Sequence, residues 1–151
     1  MPLKGPGRII EKLDDGREIK DALRSTLITP HPLDDIESII AEFERRGYTV
    51  VPDTGTPFED RISPGSRRPS GYGDIALKLL KGDGHEVMKE VLVMPDWMFK
   101  AKHESTRLYS LERTARQEGR LDDAARHAAA ARQIYDDAEA AAVASGWRLH
   151  R

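Results

Sequence analysis

Apolar residues along the first fifty positions follow two different periods, and each period predicts one kind of element. Ile9, Ile10 and Leu13 are spaced as on a helix, which predicts a first helix over 4–13. Residues 23–29 are rich in β-forming side chains and predict a strand, which prolines at 30 and 32 stop. A second helical stripe predicts an amphipathic helix that Asp34 or Asp35 caps and that ends at Gly47, followed by a strand over 48–51.

The rest of the chain contains one aperiodic stretch, a strand pair and two helices. Residues 52–70 are rich in Pro, Gly, Ser and Arg, which predicts a long loop that is either functional or mobile. Apolar alternation over 74–80 and 86–94 predicts two strands joined by a hairpin turn at 81–84. Helices are predicted over 95–118 and over an alanine-rich stretch, 122–145, that Asp122 caps. The order predicts an α+β fold, with a mixed β-sheet of about four to five strands flanked by helices and a C-terminal helical extension.

Composition narrows the classes of function. The 151 residues are the size of one domain, so we assign 1–151 to a single domain. The absence of cysteine excludes disulfides and thiolate metal sites, and the five histidines lack the spacing of a zinc-binding helix. A net charge of -2 neither requires nor excludes a nucleic-acid partner. The sequence shows no apolar stretch long enough for a membrane span, so no membrane partner is expected.

Two groups of cations are candidates for phosphate binding. Lys4, Arg8 and Lys12 recur every four residues, so they project from one helical face, toward either a polyphosphate or solvent. In the long loop, arginines at 61, 67 and 68 precede Ser70-Gly71-Tyr72. Arginine forks bind phosphates and a tyrosine ring can stack on a purine, although a solvated basic loop with its tyrosine packed at the core edge remains an alternative.

A pair of carboxylates is the third candidate feature. Asp21 precedes the first predicted strand, and Glu90 lies in the middle of the last one, next to the apolar residues Val91, Leu92 and Val93. A carboxylate at such a position needs a metal ion, a cation or solvent around it. The simplest alternative places Glu90 on a solvent-exposed face of the sheet, opposite the apolar side.

The order of these features along the chain resembles that of a known protein family. The short sequence segments that match, called matching words below, are Lys4…Arg8-Ile9-Ile10-Glu11-Lys12-Leu13, Lys20-Asp21-Ala22-Leu23-Arg24, Asp60-Arg61-Ile62, Pro69-Ser70-Gly71-Tyr72-Gly73-Asp74-Ile75 and Glu90-Val91-Leu92-Val93. They are followed by Met98…Ala101-Lys102 and Leu108-Tyr109…Arg113. In this order and spacing they resemble the RelA/SpoT-type (p)ppNpp synthetase domain, in the form found in small toxins and interbacterial effectors. The resemblance covers the chain up to about Arg113.

The resemblance implies an ATP-dependent nucleotide pyrophosphokinase, which transfers pyrophosphate from ATP to the 3′-hydroxyl of a purine nucleotide. Lys4 and Lys12, helped by Arg8, would hold the ATP phosphates, and Arg24 would lie against the adenine. Pro2 stands where the family usually has an arginine, two places before the first lysine. The catalytic part would be about 1–118, with the C-terminal helix over about 122–145 outside it.

The resemblance also implies a metal ion and an acceptor site. Asp21 and Glu90 would bind Mg²⁺, and Glu90 would in addition orient or deprotonate the attacking hydroxyl. Tyr72 would stack on the acceptor base, with Arg61 and Arg68 at the acceptor phosphates. These parts suit pyrophosphoryl transfer, which needs charge neutralisation and in-line positioning more than covalent catalysis.

The Gly71-Tyr72-x-Asp74-Ile75 form, with Ala76 where housekeeping synthetases have a histidine, is similar to secreted and phage-associated toxic relatives. It implies a toxin that depletes ATP in the bacterial cytoplasm, with a cognate immunity or antitoxin protein, and leaves open delivery by secretion as the C-terminal domain of a larger effector. We favour adenosine nucleotides, giving (p)ppApp, as acceptors. Guanosine nucleotides and the 3′ end of tRNA stay open, although the modest net charge disfavours tRNA. The other classes are a catalytically inactive nucleotide-binding module and a helical interaction protein, the latter suggested by 124–144.

Overall fold

A computed structural model describes residues 24–81 and 88–151, which contain five strands and three helices. Its elements are β1 (Arg24–Ile28), α1 (Pro32–Arg45), β2 (Tyr48–Val50), β3 (Glu59–Asp60), β4 (Ile75–Lys81), β5 (Met88–Met94), α2 (Asp96–Gln117) and α3 (Leu121–Ala144). The predicted first helix over 4–13, with Lys4, Arg8 and Lys12, lies outside the described residues. Asp21 and most of the predicted hairpin turn lie outside them too.

The five strands form one mixed sheet. Its order is β1-β5-β4-β2, and β3 pairs with β4. β1 runs parallel to β5, with Arg24 opposite Glu90, whereas β2, β3 and β5 each pair antiparallel with β4. The prediction of an α+β fold with a mixed sheet of four to five strands is confirmed.

Alternate residues of the two central strands face different helices, because successive side chains of a strand point to opposite faces. One face contributes Leu77, Val91 and Val93 to a core that includes Ile39 and Phe43 of α1. The other face contributes Leu92 and Met94 to a second core that includes Met98 of α2 and Tyr135 of α3. Glu90 has the same parity as Leu92, so it lies on the face that α2 and α3 cover.

The C-terminal helix α3 packs against α2 and is joined to it at Gly119, whose φ is 75°. Ser105 of α2 and the Tyr135 hydroxyl of α3 lie 2.9 Å apart, within hydrogen-bond distance, and both side chains are buried. The predicted extension is therefore integrated into the second core. Neither these helices nor α1 is long and apolar enough to cross a membrane, within the residues described.

The predicted caps and the aperiodic loop differ from the structure. α1 begins at Pro32 with His31 at the N-cap, and Asp34 and Asp35 lie in its first turn without capping it. Proline is tolerated there because the first helical N–H needs no intrahelical acceptor. Likewise α3 begins at Leu121, so the prediction that Asp122 caps it was wrong. The long loop contains the two-residue strand β3, which was not predicted.

A segment after α3 returns to the start of α1. The Trp147 indole donates a hydrogen bond of 2.6 Å to the Pro30 carbonyl, and its ring packs edge-on against Trp97 with centroids 5.1 Å apart. Two contacts reach Asp34: the Arg151 backbone N–H donates at 2.7 Å, and the His150 ring nitrogen lies 2.9 Å away. This segment joins the end of the helical layer to the loop that follows β1.

Candidate functional site

A cleft of about 410 Å³ lies between the β1–β5 strand pair, the loop that ends at Tyr72, and α2. Within the described residues, the structure brings together at its walls the predicted site residues Arg24, Arg61, Arg68, Tyr72 and Glu90. It also places there residues of α2 for which the sequence predicted no role. The remaining candidates, Lys4, Arg8, Lys12 and Asp21, lie outside the residues described, so their positions relative to the cleft stay predictions.

Glu90 presents its carboxylate to the cleft from the middle of β5. Its side chain is 26 % exposed, although it shares a sheet face with the buried Leu92 and Met94. The face is open at Glu90 and covered by the helices further along the strand. Arg24, directly opposite on β1, places its Nε 2.9 Å from Glu90 Oε1. The acid is therefore paired with a cation and accessible from the cleft at the same time.

A buried carboxylate, Asp74, holds two of the predicted site residues in place. It is fully buried, and Arg61 donates to both of its oxygens, at 2.6 Å from Nε and 3.0 Å from Nη2. The Tyr72 hydroxyl donates to Asp74 Oδ2 as well. Burial, and then this hydrogen bond, raise the pKa of Tyr72 well above its ordinary value, so the hydroxyl stays a neutral donor. The sequence contained Asp74 in a matching word but gave no sign of this role.

The Tyr72 ring has a neighbour on each of two flanks. The Nζ atom of Lys102 lies 5.4 Å from its centroid, and the buried ring of Tyr135 approaches edge-on at 6.2 Å and 65°. The backbone of Gly71, with φ of 96°, passes so close to Tyr135 that a Cβ there would lie 2.8 Å from the Tyr135 Cβ. Tyr72 is thus positioned by the helical layer as well as by Asp74.

Positive charge dominates the cleft walls. Arg24 and Arg61 are paired with carboxylates, whereas Arg68 and Lys102 have no carboxylate within 4.0 Å among the residues that the structure describes. Burial first, and then repulsion from Arg24 and Arg61, lower the pKa of Lys102 below its ordinary value. A concave site with surplus cations and an aromatic ring suits a ligand that combines phosphates with a base.

The donor set at Glu90 fits a magnesium ion that is bound together with a nucleotide. In the described part of the chain, no group of three or more His, Asp or Glu residues could hold a metal ion by itself. Mg²⁺ instead commonly uses one or two carboxylates together with substrate phosphates and water. Glu90 offers such a carboxylate, and Asp21, outside the described residues, is the predicted second one.

The contribution of α2 was not predicted from the sequence. Lys102, Thr106 and Tyr109 all line the cleft, and their spacing places them on one helical face. Lys102 and Tyr109 belong to matching words, but a polar stripe on a helix is typical of any solvated face. Only the contact of α2 with the sheet shows that this stripe faces a cleft.

No protein-family model matches the sequence. No curated protein sequence matches it either. Among solved structures, the chain is similar to a GTP pyrophosphokinase family protein from Streptococcus pneumoniae, with 14% identity and a TM-score of 0.46 over 91% of this chain and 69% of that one. It is also similar to the small alarmone synthetase 1 from Bacillus subtilis, solved with its product pppGpp, with 20% identity and a TM-score of 0.43 over 90% of this chain and 72% of that one. The function proposed for this chain therefore rests on the residues of its cleft.

Proposed function

We propose that this chain is an ATP-dependent nucleotide pyrophosphokinase, which transfers pyrophosphate from ATP to the 3′-hydroxyl of a purine nucleotide. The observation that carries this proposal is the shared cleft of Glu90, the Tyr72 ring and the cations Arg24, Arg61, Arg68 and Lys102. A carboxylate amid surplus cations is expected where a metal–phosphate complex binds, and the ring provides a surface for a base. The matching words of the RelA/SpoT-type domain support the same function independently of the geometry.

The donor nucleotide would lie on the β1 side of the cleft. Lys4, Arg8 and Lys12 would hold its phosphates, and Arg24 would leave Glu90 to lie against the adenine. Arg24 is 67 % exposed, so its side chain has room for that movement. Glu90 and Asp21 would hold Mg²⁺, which when bound neutralises the negative charge that develops on the transferred group.

The acceptor nucleotide would lie on the Tyr72 side. Tyr72 stacks on its base, and Arg68, which is exposed and has no ion pair with a described residue, is available for its phosphates. The Nε and Nη2 atoms of Arg61 both donate hydrogen bonds to Asp74. Arg61 would therefore support the acceptor site mainly through its positive charge. With the base and phosphates held in this way, the ribose of the acceptor would point toward Glu90.

The reaction then follows from the position of the carboxylate. The 3′ oxygen of the acceptor attacks the β-phosphorus of ATP, and the bond from this phosphorus to the α–β bridging oxygen breaks. AMP leaves with the electron pair, while Glu90 accepts the proton of the attacking hydroxyl. The protein supplies positioning and electrostatic stabilisation, which are the main needs of phosphoryl-type transfer.

We further propose that the chain acts as a toxin, by depleting ATP as it makes (p)ppApp from adenosine nucleotides. The sequence words around Gly71-Tyr72 support this, because they resemble toxic relatives. An immunity protein and delivery by secretion belong to the same proposal. Guanosine nucleotides and the 3′ end of tRNA are the competing acceptors.

The test is transfer of pyrophosphate from labelled ATP and Mg²⁺ to AMP, ADP, ATP, GDP, GTP or tRNA, each assayed separately. We expect AMP release with pyrophosphate on one acceptor class, and a loss of at least about 100-fold in Glu90→Gln, since removing a metal-holding acid–base group costs at least this much.

The matched control is Glu104→Gln, an exposed glutamate on α2 that does not line the cleft, and it should keep wild-type activity. A fully active Glu90→Gln would refute the site. Nucleotide binding without any transfer would favour the inactive binding module.

A further inference from the structure

Lys102 occupies a position that a base stacked on Tyr72 would need. Its Nζ lies over the Tyr72 ring, 5.4 Å from the centroid, and both side chains line the cleft. Another flank of the ring is closed, because the buried Tyr135 ring packs there edge-on. A base that enters the cleft and stacks on Tyr72 therefore displaces the ammonium group of Lys102.

The contact with the ring is the weaker of two that this ammonium can make. Arg61 and Arg24 already use the neighbouring carboxylates, and no carboxylate of a described residue lies within 4.0 Å of Lys102. An ammonium over an aromatic face is held less strongly than one in a charge-assisted hydrogen bond with a phosphate. An incoming phosphate thus offers Lys102 a better partner than the one it leaves.

The surroundings of Lys102 favour an anion. The side chain is half-buried, and Arg24 and Arg61 repel its charge, while Asp74 and Glu90 attract it. Burial and the two arginines outweigh the carboxylates, so the pKa of Lys102 is lowered. A bound phosphate would restore the balance of charge around this ammonium.

We propose that Lys102 binds the phosphate chain of the acceptor nucleotide once the acceptor's base has displaced it from the Tyr72 ring. The proposed function supplies the identity of that acceptor, a phosphorylated purine nucleoside. The two events are coupled, because the base that takes the ring releases the cation that receives the phosphate. A nucleoside without phosphate displaces Lys102 and gives it no new partner, so the site selects nucleotides.

The test compares a nucleoside with its 5′-diphosphate in a calorimetric titration. Mg²⁺ and α,β-methylene-ATP are present to fill the donor site, since the bridging carbon of this analogue prevents transfer. With wild type, we expect ADP or GDP to bind more tightly than adenosine or guanosine. With Lys102→Met, the diphosphate should bind about 10- to 100-fold more weakly, as expected for loss of a charged hydrogen bond. The nucleoside should bind as tightly as before or more tightly, because the ring is no longer covered.

The controls separate a binding role from a structural one. Lys100→Met changes an exposed lysine on the same helix, paired with Asp96 at 2.9 Å, and should leave both affinities unchanged. Lys102→Arg should keep most of the difference between diphosphate and nucleoside. If Lys102→Met folds poorly, Lys102→Gln replaces it with a polar side chain, and we expect the same changes in affinity.

Several outcomes would overturn the inference: no nucleotide binding by wild type, no preference of wild type for the diphosphate, or equal effects of Lys102→Met on both ligands. The titration involves no turnover, so its result is distinguishable from failure of the proposed function. Absence of pyrophosphate transfer with the preference intact contradicts the reaction and not the role of Lys102. An active enzyme without the preference contradicts the role of Lys102 alone.

Discussion

Asp74 shows how a single buried charge organises the Tyr72 side of the cleft. Its carboxylate binds the Arg61 guanidinium through two hydrogen bonds and also accepts one from the Tyr72 hydroxyl. A fully buried carboxylate is tolerated only when it is paired and hydrogen-bonded. The hydroxyl and the ring of Tyr72 thus have separate tasks: the hydroxyl satisfies Asp74, and the ring borders the cleft.

This division of tasks leads to a prediction for two variants of Tyr72. Tyr72→Phe should lower the free energy of unfolding by about 1–3 kcal/mol, because Asp74 loses one buried hydrogen bond, while the acceptor KM stays close to wild type. Tyr72→Leu should raise the acceptor KM about 10- to 100-fold, since stacking of a base on an aromatic ring is worth roughly 1–3 kcal/mol. Urea unfolding and steady-state kinetics measure the two effects. Equal KM changes in both variants would contradict stacking on the ring.

At the level of residues, the sequence predicted which residues line the cleft better than it predicted the contacts around them. Tyr72, Glu90 and three arginines were named from their order along the chain, and the structure brings them to one cleft. The partner of Tyr72 on α3, Tyr135, was not predicted, because 63 residues separate the two and nothing local links them. Nor does the sequence show that the sheet face is open at Glu90, since this depends on how far the helices extend over β5.

Helix α3 is an element of the site although it lies outside the predicted catalytic part. The buried Tyr135 contacts both the Tyr72 ring and the Gly71 backbone, and Arg132 donates a 2.9 Å hydrogen bond to the Pro69 carbonyl. These contacts fix the loop that carries Tyr72. The helix thereby limits the movement of the Tyr72 side of the cleft.

The close approach of Gly71 to α3 gives a prediction at this scale. Gly71→Ala should destabilise the protein for two reasons: the residue has a left-handed φ of 96°, and its new Cβ would lie 2.8 Å from the Tyr135 Cβ. Backbone strain costs about 1–2 kcal/mol and overpacking about 1–3 kcal/mol more. The acceptor KM should rise as well, because the loop must shift. Chemical unfolding and kinetics check both effects.

Gly119→Ala is the matched control for Gly71→Ala. Gly119 also has a left-handed φ, of 75°, but no heavy atom lies within 4 Å of the position of its Cβ. This variant should show the cost of backbone strain alone, about 1–2 kcal/mol, with an unchanged acceptor KM. An equal loss of stability in the two variants would mean that the Tyr135 contact does not constrain the loop.

Elements with a clear apolar period were predicted within a few residues, and those that depend on distant pairing were not. β4 and β5 alternate because each face of the sheet packs on its own core. β3 consists of Glu59 and Asp60, which have no apolar side chain to reveal a strand, and it forms only by pairing with β4. The start of α1 was misplaced since Pro32 was interpreted as a breaker, whereas it is the first residue of the helix.

The segment after α3 connects the two helical layers of the whole molecule. Trp147 packs on Trp97 in the first turn of α2, and Leu149 packs on the core that α1 covers. The Arg151 backbone N–H first, and then the His150 ring, lower the pKa of Asp34. A carboxylate whose pKa is lower in the folded than in the unfolded chain contributes stability above the unfolded pKa, and this contribution is lost as pH falls through the folded pKa.

We therefore expect an acid-sensitive attachment of this segment. As the pH falls from about 5, the unfolding midpoint of wild type should drop more steeply than that of Asp34→Asn, which lacks the titrating group. Asp122→Asn is the control, because Asp122 lies in the first turn of α3 as Asp34 does in α1, without a contact from the segment. Urea unfolding at a series of pH values measures the difference. Parallel curves for wild type and Asp34→Asn would exclude this linkage.

The walls of the cleft are far apart in the sequence, from Arg24 through Tyr72 and Glu90 to Tyr109. An unfolded chain holds no equivalent site, so a ligand binds the native state alone and raises the melting temperature. At a ligand concentration of 100 times the dissociation constant, the free energy of unfolding rises by about 2.7 kcal/mol. For a protein of this size, the melting temperature then rises by several degrees. A thermal-shift screen of purine nucleotides should consequently rank donors and acceptors before any chemistry is assayed, and Glu90→Gln should still respond to the acceptor. If the chain uses ATP as a substrate, each turnover also removes a ligand that stabilises the native state.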